Sequence, residues 1–127
     1  MSNRTFLILH SGIYAVFAAL LLVIPNLIWP IYGVELNDRY ALFLSQHNSI
    51  FLGGIAVLGY QFRACTNKEL LKKLLTGLLW TNLFGLAITL YAAIAGIFTG
   101  LGWSDPIFFA LLAALSYRQR KINQQAQ

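Results

Sequence analysis

The sequence has few charged residues and a single cysteine. Four acidic and nine basic residues make up 10% of the 127 residues, whereas charged residues make up about 25% of an average soluble domain. So few polar groups cannot cover the surface of a soluble domain, and an ordinary cytosolic fold is therefore excluded. The lone Cys65 excludes an internal disulfide and a C-x-x-C redox pair.

Apolar residues dominate the chain instead. Hydrophobic residues make up 58% of the sequence, and the mean hydropathy is +0.67. This composition is typical of an integral membrane protein. The net charge of +5 does not indicate a nucleic-acid partner, because the basic residues lie at the ends of apolar runs and form no polar face. The expected partners are membrane lipids, with a second copy of the chain or another membrane protein as a further partner.

Four apolar runs predict four helices in one domain. A helix rises 1.5 Å per residue and the bilayer core is about 30 Å thick, so about 20 residues span it. The predicted fold is all-α, a polytopic membrane protein built as a four-transmembrane-helix bundle. The single domain covers residues 1–127, with helices over about residues 5–29, 40–62, 67–96 and 105–121.

The fourth apolar run is the shortest. Its apolar part, Pro106 to Tyr117, has twelve residues, which corresponds to about 18 Å of helix. The basic residues that follow can extend this run by about one turn, because their long side chains reach back to the membrane surface. We therefore expect four crossings, and a fourth helix that only dips into the membrane interface is the alternative.

Polar residues between the runs predict where the helices begin and end. Asn37 or Asp38 is expected to cap the second helix. Thr66 and Glu69 have the spacing of a capping box at the start of the third helix. The polar residues 123–127 are expected to fray.

The basic residues predict the orientation in the membrane. If all four runs cross, eight of the nine basic residues fall on one side and Arg39 alone falls on the other. Cytoplasmic loops carry the excess of Lys and Arg, so both termini are expected in the cytoplasm, with the chain in the inner (plasma) membrane. The eight are Arg4, Arg63, Lys68, Lys72, Lys73, Arg118, Arg120 and Lys121.

Two stripes of small residues predict close helix packing. Stripes of this kind allow helix backbones to approach each other in lipid, where packing replaces the hydrophobic driving force. Packing inside the bundle is the simpler interpretation, and an interface with a second copy or a partner is the alternative. The second helix carries Ser45, Ser49 and Gly53, and the third carries Gly77, Thr81, Gly85 and Thr89, each at a spacing of four.

Polar residues in the external half of the bundle form a candidate ligand site. Polar side chains at membrane depth are costly and are often functional, although hydrogen bonds between helices would also explain them. The residues expected to bind a ligand are Asn26, Gln46, Asn48 and Asp105.

Helix geometry predicts which of these side chains point inward. Successive residues turn by about 100°, so Gln46 lies about 60° from Ser49, and His47 about 160° from it. We expect Gln46 to face the bundle and to meet Asn26 or Asp105. His47 is expected to face outward, towards headgroups or another subunit.

No catalytic or metal-binding pattern is present in the sequence. His10 lies about 7 Å inside the cytoplasmic end of the first helix, and His47 about 9 Å inside the external end of the second. Because these depths are measured from opposite sides of the membrane, the two side chains lie far apart. They cannot share a metal ion, which needs both nitrogens about 2 Å away. Each is better explained as a hydrogen-bonded structural histidine. The chain lacks a Ser-His-Asp order, paired carboxylates and a phosphate-binding glycine loop. We therefore expect no catalytic residue, no metal and no cofactor.

The first half of the chain carries a recognisable arrangement of motifs. A first helix ends in proline, a short acidic loop follows, and a polar patch opens a glycine-rich second helix. Residues 25–60 read PNLIWPIYGVELNDRYALFLSQHNSIFLGGIAVLGY. This segment resembles small bacterial four-helix integral membrane proteins of a family of unknown function. The resemblance implies the four-helix fold. Those proteins often have an arginine in the polar patch, where this chain has Gln46, His47 and Asn48.

The two small-residue stripes favour an accessory or structural membrane protein that acts through helix–helix contacts. The external polar group favours the alternative, a binding or transport module for a small apolar or amphiphilic molecule or a lipid. An enzyme is not expected, because the sequence offers no convergent titratable groups.

Overall fold

A computed structural model describes residues 1–125 and is built from helices, with no strand in that range. Two short 3-10 helices, Phe62–Ala64 and Gly100–Trp103, lie in the connections. The five α-helices are α1 (Asn3–Val23), α2 (Pro25–Ile31), α3 (Arg39–Gln61), α4 (Lys68–Ile94) and α5 (Ser104–Gln125).

Three of these helices are long and apolar enough to cross a membrane. They are α1, α3 extended by its 3-10 turn to Ala64, and α4. Helix α5 has 22 residues, but its second half carries Arg118, Arg120 and Lys121. These charges lower the mean hydropathy of α5. It is therefore not among the helices that are long and apolar enough to cross a membrane.

The helices pair into two antiparallel hairpins. Helix α1 packs along α3, and α4 packs along α5. In the first hairpin the Nε2 atom of Gln46 reaches the carbonyl oxygen of Leu22 near the α1 C-terminus. In the second, Asn123 donates to the carbonyl oxygen of Lys68 at the α4 N-terminus. The backbones of the two hairpins approach each other less closely than the two helices within each hairpin do. The contact between the hairpins is therefore made mostly by side chains.

The first predicted helix is broken near its C-terminus. The sequence predicts one helix over residues 5–29, but α1 ends at Val23 and α2 begins at Pro25. The break lies at Ile24, whose φ of −131° and ψ of 43° are not helical. A residue before proline is disfavoured in the helical region, because the proline ring clashes with its backbone. The break redirects α2 across the end of the bundle.

Single side chains cap α3 and α4. The Asp38 carboxylate accepts from the backbone N–H groups of Tyr40 and Ala41. At α4 the cap is Asn67, whose side chain accepts from Glu69 N and its neighbour. The capping box predicted at Thr66 is therefore wrong by one residue. An asparagine cap satisfies the same free N–H groups.

The C-terminal segment is helical up to residue 125, so residues 123–125 do not fray as the sequence predicts. Helix α5 continues to Gln125, and both Gln119 and Asn123 are buried. Gln119 donates to the backbone oxygen of Met1, and Asn123 accepts from the Asn3 amide. These bonds tie the end of α5 to the start of α1. The remaining part of the predicted fraying segment, residues 126–127, lies outside the described residues.

A leucine-rich cluster forms the core near the N-terminal end of α1. Phe6 and Leu7 of α1 pack with Leu71, Leu75 and Leu78 of α4. All five side chains are buried. This cluster joins the two hairpins at the end of the bundle that carries most of the basic residues.

Candidate functional site

An apolar cavity opens between the two hairpins, on the side covered by α2. Its volume is about 120 Å³. Six of its eleven lining residues are aromatic, and we call it the aromatic cavity. The lining residues are Ile13, Tyr14, Phe17, Leu21, Ile28, Trp29, Tyr32, Leu52, Asp105, Phe108 and Phe109.

Helix α2 supplies the outer wall of the aromatic cavity. The indole Nε1 of Trp29 donates to the Ser45 hydroxyl of α3 at 2.6 Å. This bond satisfies the only polar atom of the indole ring and fixes the ring against α3. Tyr32 follows one turn later and meets the Trp29 ring edge-on, with ring centroids 6.1 Å apart. The break at Pro25 thus places two large aromatic rings over the cavity.

The loop after α2 is held by a glycine. Gly33 has a φ of +79°, a conformation that side chains disfavour. A Cβ atom there would also overlap Thr99, whose backbone N–H donates to the Tyr32 carbonyl oxygen at 2.9 Å. This contact joins the two loops at one end of the bundle and fixes the position of Tyr32.

Within the part of the chain that the structure describes, Asp105 is the one carboxyl group in the cavity lining. It lies in the first turn of α5 and faces the Tyr32 hydroxyl. Burial raises the pKa of the Asp105 carboxyl above its ordinary value, and the hydrogen bond from Tyr32 offsets part of this rise. Burial and then the nearby Asp105 charge raise the pKa of Tyr32 to about 12. No basic residue is among the described residues that line the cavity, so a ligand could supply the charge partner of Asp105.

A buried polar network lies directly beside the aromatic cavity and has Asn82 of α4 at its centre. The Asn82 side chain is fully buried. Its Oδ1 atom accepts from the Tyr14 hydroxyl at 2.7 Å. Its Nδ2 atom lies 3.0 Å from His10 Nε2 and donates to Ser116 Oγ at 3.2 Å. The network therefore links α1, α4 and α5, and Tyr14 belongs both to it and to the cavity wall.

His10 is buried among aromatic rings. Its ring stacks on Tyr14, with centroids 4.6 Å apart and planes 14° apart, and lies 5.5 Å from the ring of Phe6. The contact with Asn82 makes it a hydrogen-bonded core histidine. Its Nδ1 atom has no hydrogen-bond partner. Among the described residues, no three His, Cys, Asp or Glu side chains converge to hold a metal ion.

The four predicted ligand-binding residues are not brought together. Asp105 lines the aromatic cavity. Gln46 is half-buried and donates to the Leu22 carbonyl oxygen at 3.2 Å, not to Asn26 or Asp105 as expected. Asn26 and Asn48 are both exposed on the outside of the bundle. Only Asp105 therefore remains in a candidate site, since α2 turns Asn26 away from it.

His47 lies on the outer face of α3, as the helical wheel predicts. It is exposed and contacts the rings of Phe43 and Phe51, one turn to either side, at 5.6 and 5.7 Å between centroids. Its contact with headgroups or with another subunit stays a prediction.

The small-residue stripes divide between inner and outer surfaces. On α3, Ser45 and Ser49 are buried, and a Cβ atom added at Gly53 would lie 3.9 Å from Ala18 on α1. These three residues form the inner face of the first hairpin.

The stripe on α4 has one packed end and one open end. Gly85 packs against the ring of Phe109 on α5, and Thr89 is buried and donates to the Gly85 carbonyl oxygen. Thr81 donates to the carbonyl of Gly77 within its own helix. Gly77 is exposed, and a Cβ atom added there would meet no atom within 4 Å beyond the adjoining backbone of its own helix.

The sequence patterns do not predict that these buried polar residues form one network. The available signal was a polar residue in the middle of each of three apolar runs: His10, Asn82 and Ser116. Their convergence depends on which helices are neighbours, and composition and periodicity do not determine the order of helices around a bundle.

The arrangement can hold a small apolar group among aromatic rings, with one carboxylate in the lining to receive a hydrogen-bond donor or a cation. Aromatic faces also attract cations. Comparison of the chain with protein families, curated proteins and solved structures finds no match.

Proposed function

We propose that the protein is a small integral membrane protein that binds an amphiphilic molecule in the aromatic cavity. The observation that carries the proposal is the single carboxylate, Asp105, in a cavity whose described lining has six aromatic side chains and no basic residue. The ligand has an apolar group among the rings and an amine or another hydrogen-bond donor at Asp105. A cation is favoured because it would pair with this partly buried charge.

The cavity volume limits the part of the ligand that enters. An apolar cavity of about 150 Å³ accommodates benzene, and this cavity measures about 120 Å³. The part of the ligand inside the cavity is therefore no larger than one ring or a short alkyl chain, and any longer apolar part extends into the surrounding lipid. The site suits binding or sensing of an amphiphile, or a step in its transport.

The test is a comparison of Asp105→Asn with Glu35→Gln in the purified protein. Asn keeps the shape of the side chain and removes the charge, so we expect the affinity for a hydrophobic amine to fall at least about tenfold, as loss of a charge-assisted hydrogen bond implies. Glu35 is an exposed acid outside the cavity lining, and its variant should bind as the wild type does. Binding is measured by thermal shift with a panel of hydrophobic amines and their neutral analogues.

The same variant has an expected pH signature without ligand. A carboxyl whose pKa is raised in the folded state stabilises that state at low pH, and the contribution is lost as the pH rises through the raised value. Asp105→Asn should therefore melt at the same or a higher temperature than the wild type at neutral pH.

Amine binding to the wild type should weaken as the pH falls and Asp105 becomes protonated. Equal binding of amines and neutral analogues by both proteins would rule out a role for the charge.

The proposed arrangement has four crossings, with both termini in the cytoplasm of a bacterial cell. Support comes from the antiparallel packing of α5 along α4 and from the basic residues at the ends where α1 and α4 begin and α3 and α5 end. An α5 that remains at the interface is the alternative arrangement.

Cys65 reports the orientation. It is partly exposed between α3 and α4, close to Arg63 and Lys68 in sequence. In the proposed topology a membrane-impermeant maleimide should not label it in intact cells and should label it after lysis. A cysteine introduced at Glu35 should give the opposite pattern. Labelling of Cys65 in intact cells would require the inverted topology.

A second candidate function is an accessory membrane protein that acts through helix contacts. The observation that favours it is the exposed surface around Gly77, where another helix could approach closely. The occupant would be a second copy or a membrane protein partner. Purification in mild detergent from native expression levels tests this candidate, and a clean monomer would count against it.

A further inference from the structure

A second groove lies at the opposite end of the bundle from α2. It is formed where α1 and α4 begin and where α3 and α5 end, and its volume is about 540 Å³. We call it the basic groove. Its lining includes Arg4, Arg63, Lys68, Leu71, Ile122 and Asn123.

Three basic residues from three different elements converge on the basic groove. Arg4 comes from α1, Arg63 from the 3-10 turn after α3, and Lys68 from the first turn of α4. Among the described residues that line the groove there is no Asp or Glu. Arg4 and Arg63 therefore present positive charge to the groove, and an anion is the ligand that complements them.

Arg63 is held in place by its own helix end. Its guanidinium lies over the ring of Tyr60, 3.7 Å from the centroid, and donates to the Tyr60 carbonyl oxygen at 2.8 Å. This hydrogen bond uses one edge of the planar guanidinium. Its other N–H groups are held in a fixed orientation and can donate to a ligand. A guanidinium fixed in this way matches the paired oxygens of a phosphate.

The opposite wall of the groove is fixed by amide hydrogen bonds. Asn3 donates to Asn123 at 3.3 Å, and Asn123 donates to the backbone oxygen of Lys68 at 2.9 Å. These bonds hold the starts of α1 and α4 and the end of α5 together. The spacing of the basic residues therefore comes from helix packing rather than from a mobile loop.

Apolar side chains lie beside the charges. Leu71 is buried and Ile122 is exposed, and both line the groove. In a bilayer this end of the bundle lies at headgroup depth, where phosphates adjoin the upper part of the acyl chains. We propose that the basic groove binds a phosphate group, presented by the headgroup of an anionic phospholipid or as free phosphate.

The experiment measures lipid binding to the purified full-length chain by native mass spectrometry. The probes are phosphatidylglycerol and, as the zwitterionic reference, phosphatidylcholine. Each basic residue near a lipid headgroup contributes roughly 1 kcal/mol, or about fivefold in affinity. We expect Arg4→Gln and Arg63→Gln each to lower phosphatidylglycerol affinity about fivefold. Arg118→Gln, an exposed base of α5 outside the groove lining, should leave it unchanged.

The outcomes separate the groove from general charge attraction and separate the two phosphate sources. Arg4 is exposed on the first turn of α1, so its variant keeps the test valid if loss of the Arg63 stack weakens folding. Displacement of the lipid by millimolar inorganic phosphate would show that the groove also takes free phosphate, and no displacement would assign it to the lipid. Equal losses in the Arg4 and Arg118 variants, or no preference for phosphatidylglycerol, would overturn the proposal.

Discussion

Replacing Asn82 with leucine is expected to destabilise the bundle by about 2–3 kcal/mol. Hydrogen bonds between membrane helices average about 0.6 kcal/mol, with values up to about 1.7, and buried groups left without a partner add to the loss. Asn82 contacts Tyr14, His10 and Ser116 on two other helices. Its removal leaves these groups without their shared partner at the junction of the two hairpins. Unfolding in mixed detergent micelles measures the change.

A double-mutant cycle isolates the bond to Tyr14. Tyr14→Phe removes only the hydroxyl, so its effect should be smaller in the Asn82→Leu background than in the wild type. The matched control is Thr81→Val, the neighbouring position, where the hydroxyl bonds only to the carbonyl of its own helix. We expect the control to change the unfolding free energy by less than about 0.5 kcal/mol. Strict additivity of Tyr14→Phe and Asn82→Leu would contradict the network.

Gly85→Leu is expected to lower stability by about 3 kcal/mol, the upper end of typical overpacking costs. A Cβ atom at Gly85 would lie 2.8 Å from Cζ of Phe109 and closer still to its Cδ1 atom. The ring would have to move, and because Phe109 lines the aromatic cavity, the cavity would change shape. Thermal unfolding in detergent reports the stability, and amine binding reports the cavity.

The matched control is the same substitution two turns earlier. At Gly77 an added Cβ atom would meet nothing within 4 Å beyond the adjoining backbone of its own helix, so the monomer should tolerate Gly77→Leu and could gain from the better helix propensity of leucine. Equal destabilisation by the two variants would mean that Gly77 is also packed, and a change of oligomeric state at Gly77 alone would support the second candidate function.

Local features of the fold could be predicted from the sequence, because they depend on neighbouring residues. Asp38 was one of two expected caps and is the cap of α3. The outward direction of His47 and the inward direction of Gln46 follow from the 100° step of the helix and agree with the exposed and half-buried states of these side chains. The break at Pro25 was accessible from the sequence too, but the apolar run continues on both sides of the proline and therefore predicts one helix.

The candidate site was less accessible, because it depends on contacts between distant segments. Gln46 was expected to meet Asn26 or Asp105, and it reaches Leu22 instead, since α1 rather than α5 is the neighbour of α3 at that level. Asn26 faces outward because α2 is a separate helix with its own axis. The aromatic side chains that build the cavity have ordinary positions in apolar runs, and no spacing rule separates them from lipid-facing residues.

The division into two hairpins has a consequence for biogenesis. Each hairpin begins and ends on the same side of the membrane in the proposed topology, so each can be inserted as a complete unit. Association of preformed membrane helices then becomes a separate, later step. Asn82 of the second hairpin meets Tyr14 of the first only in that step. The aromatic cavity has walls from both hairpins, so it forms in the same step, and the proposed ligand site is completed as the last event of assembly.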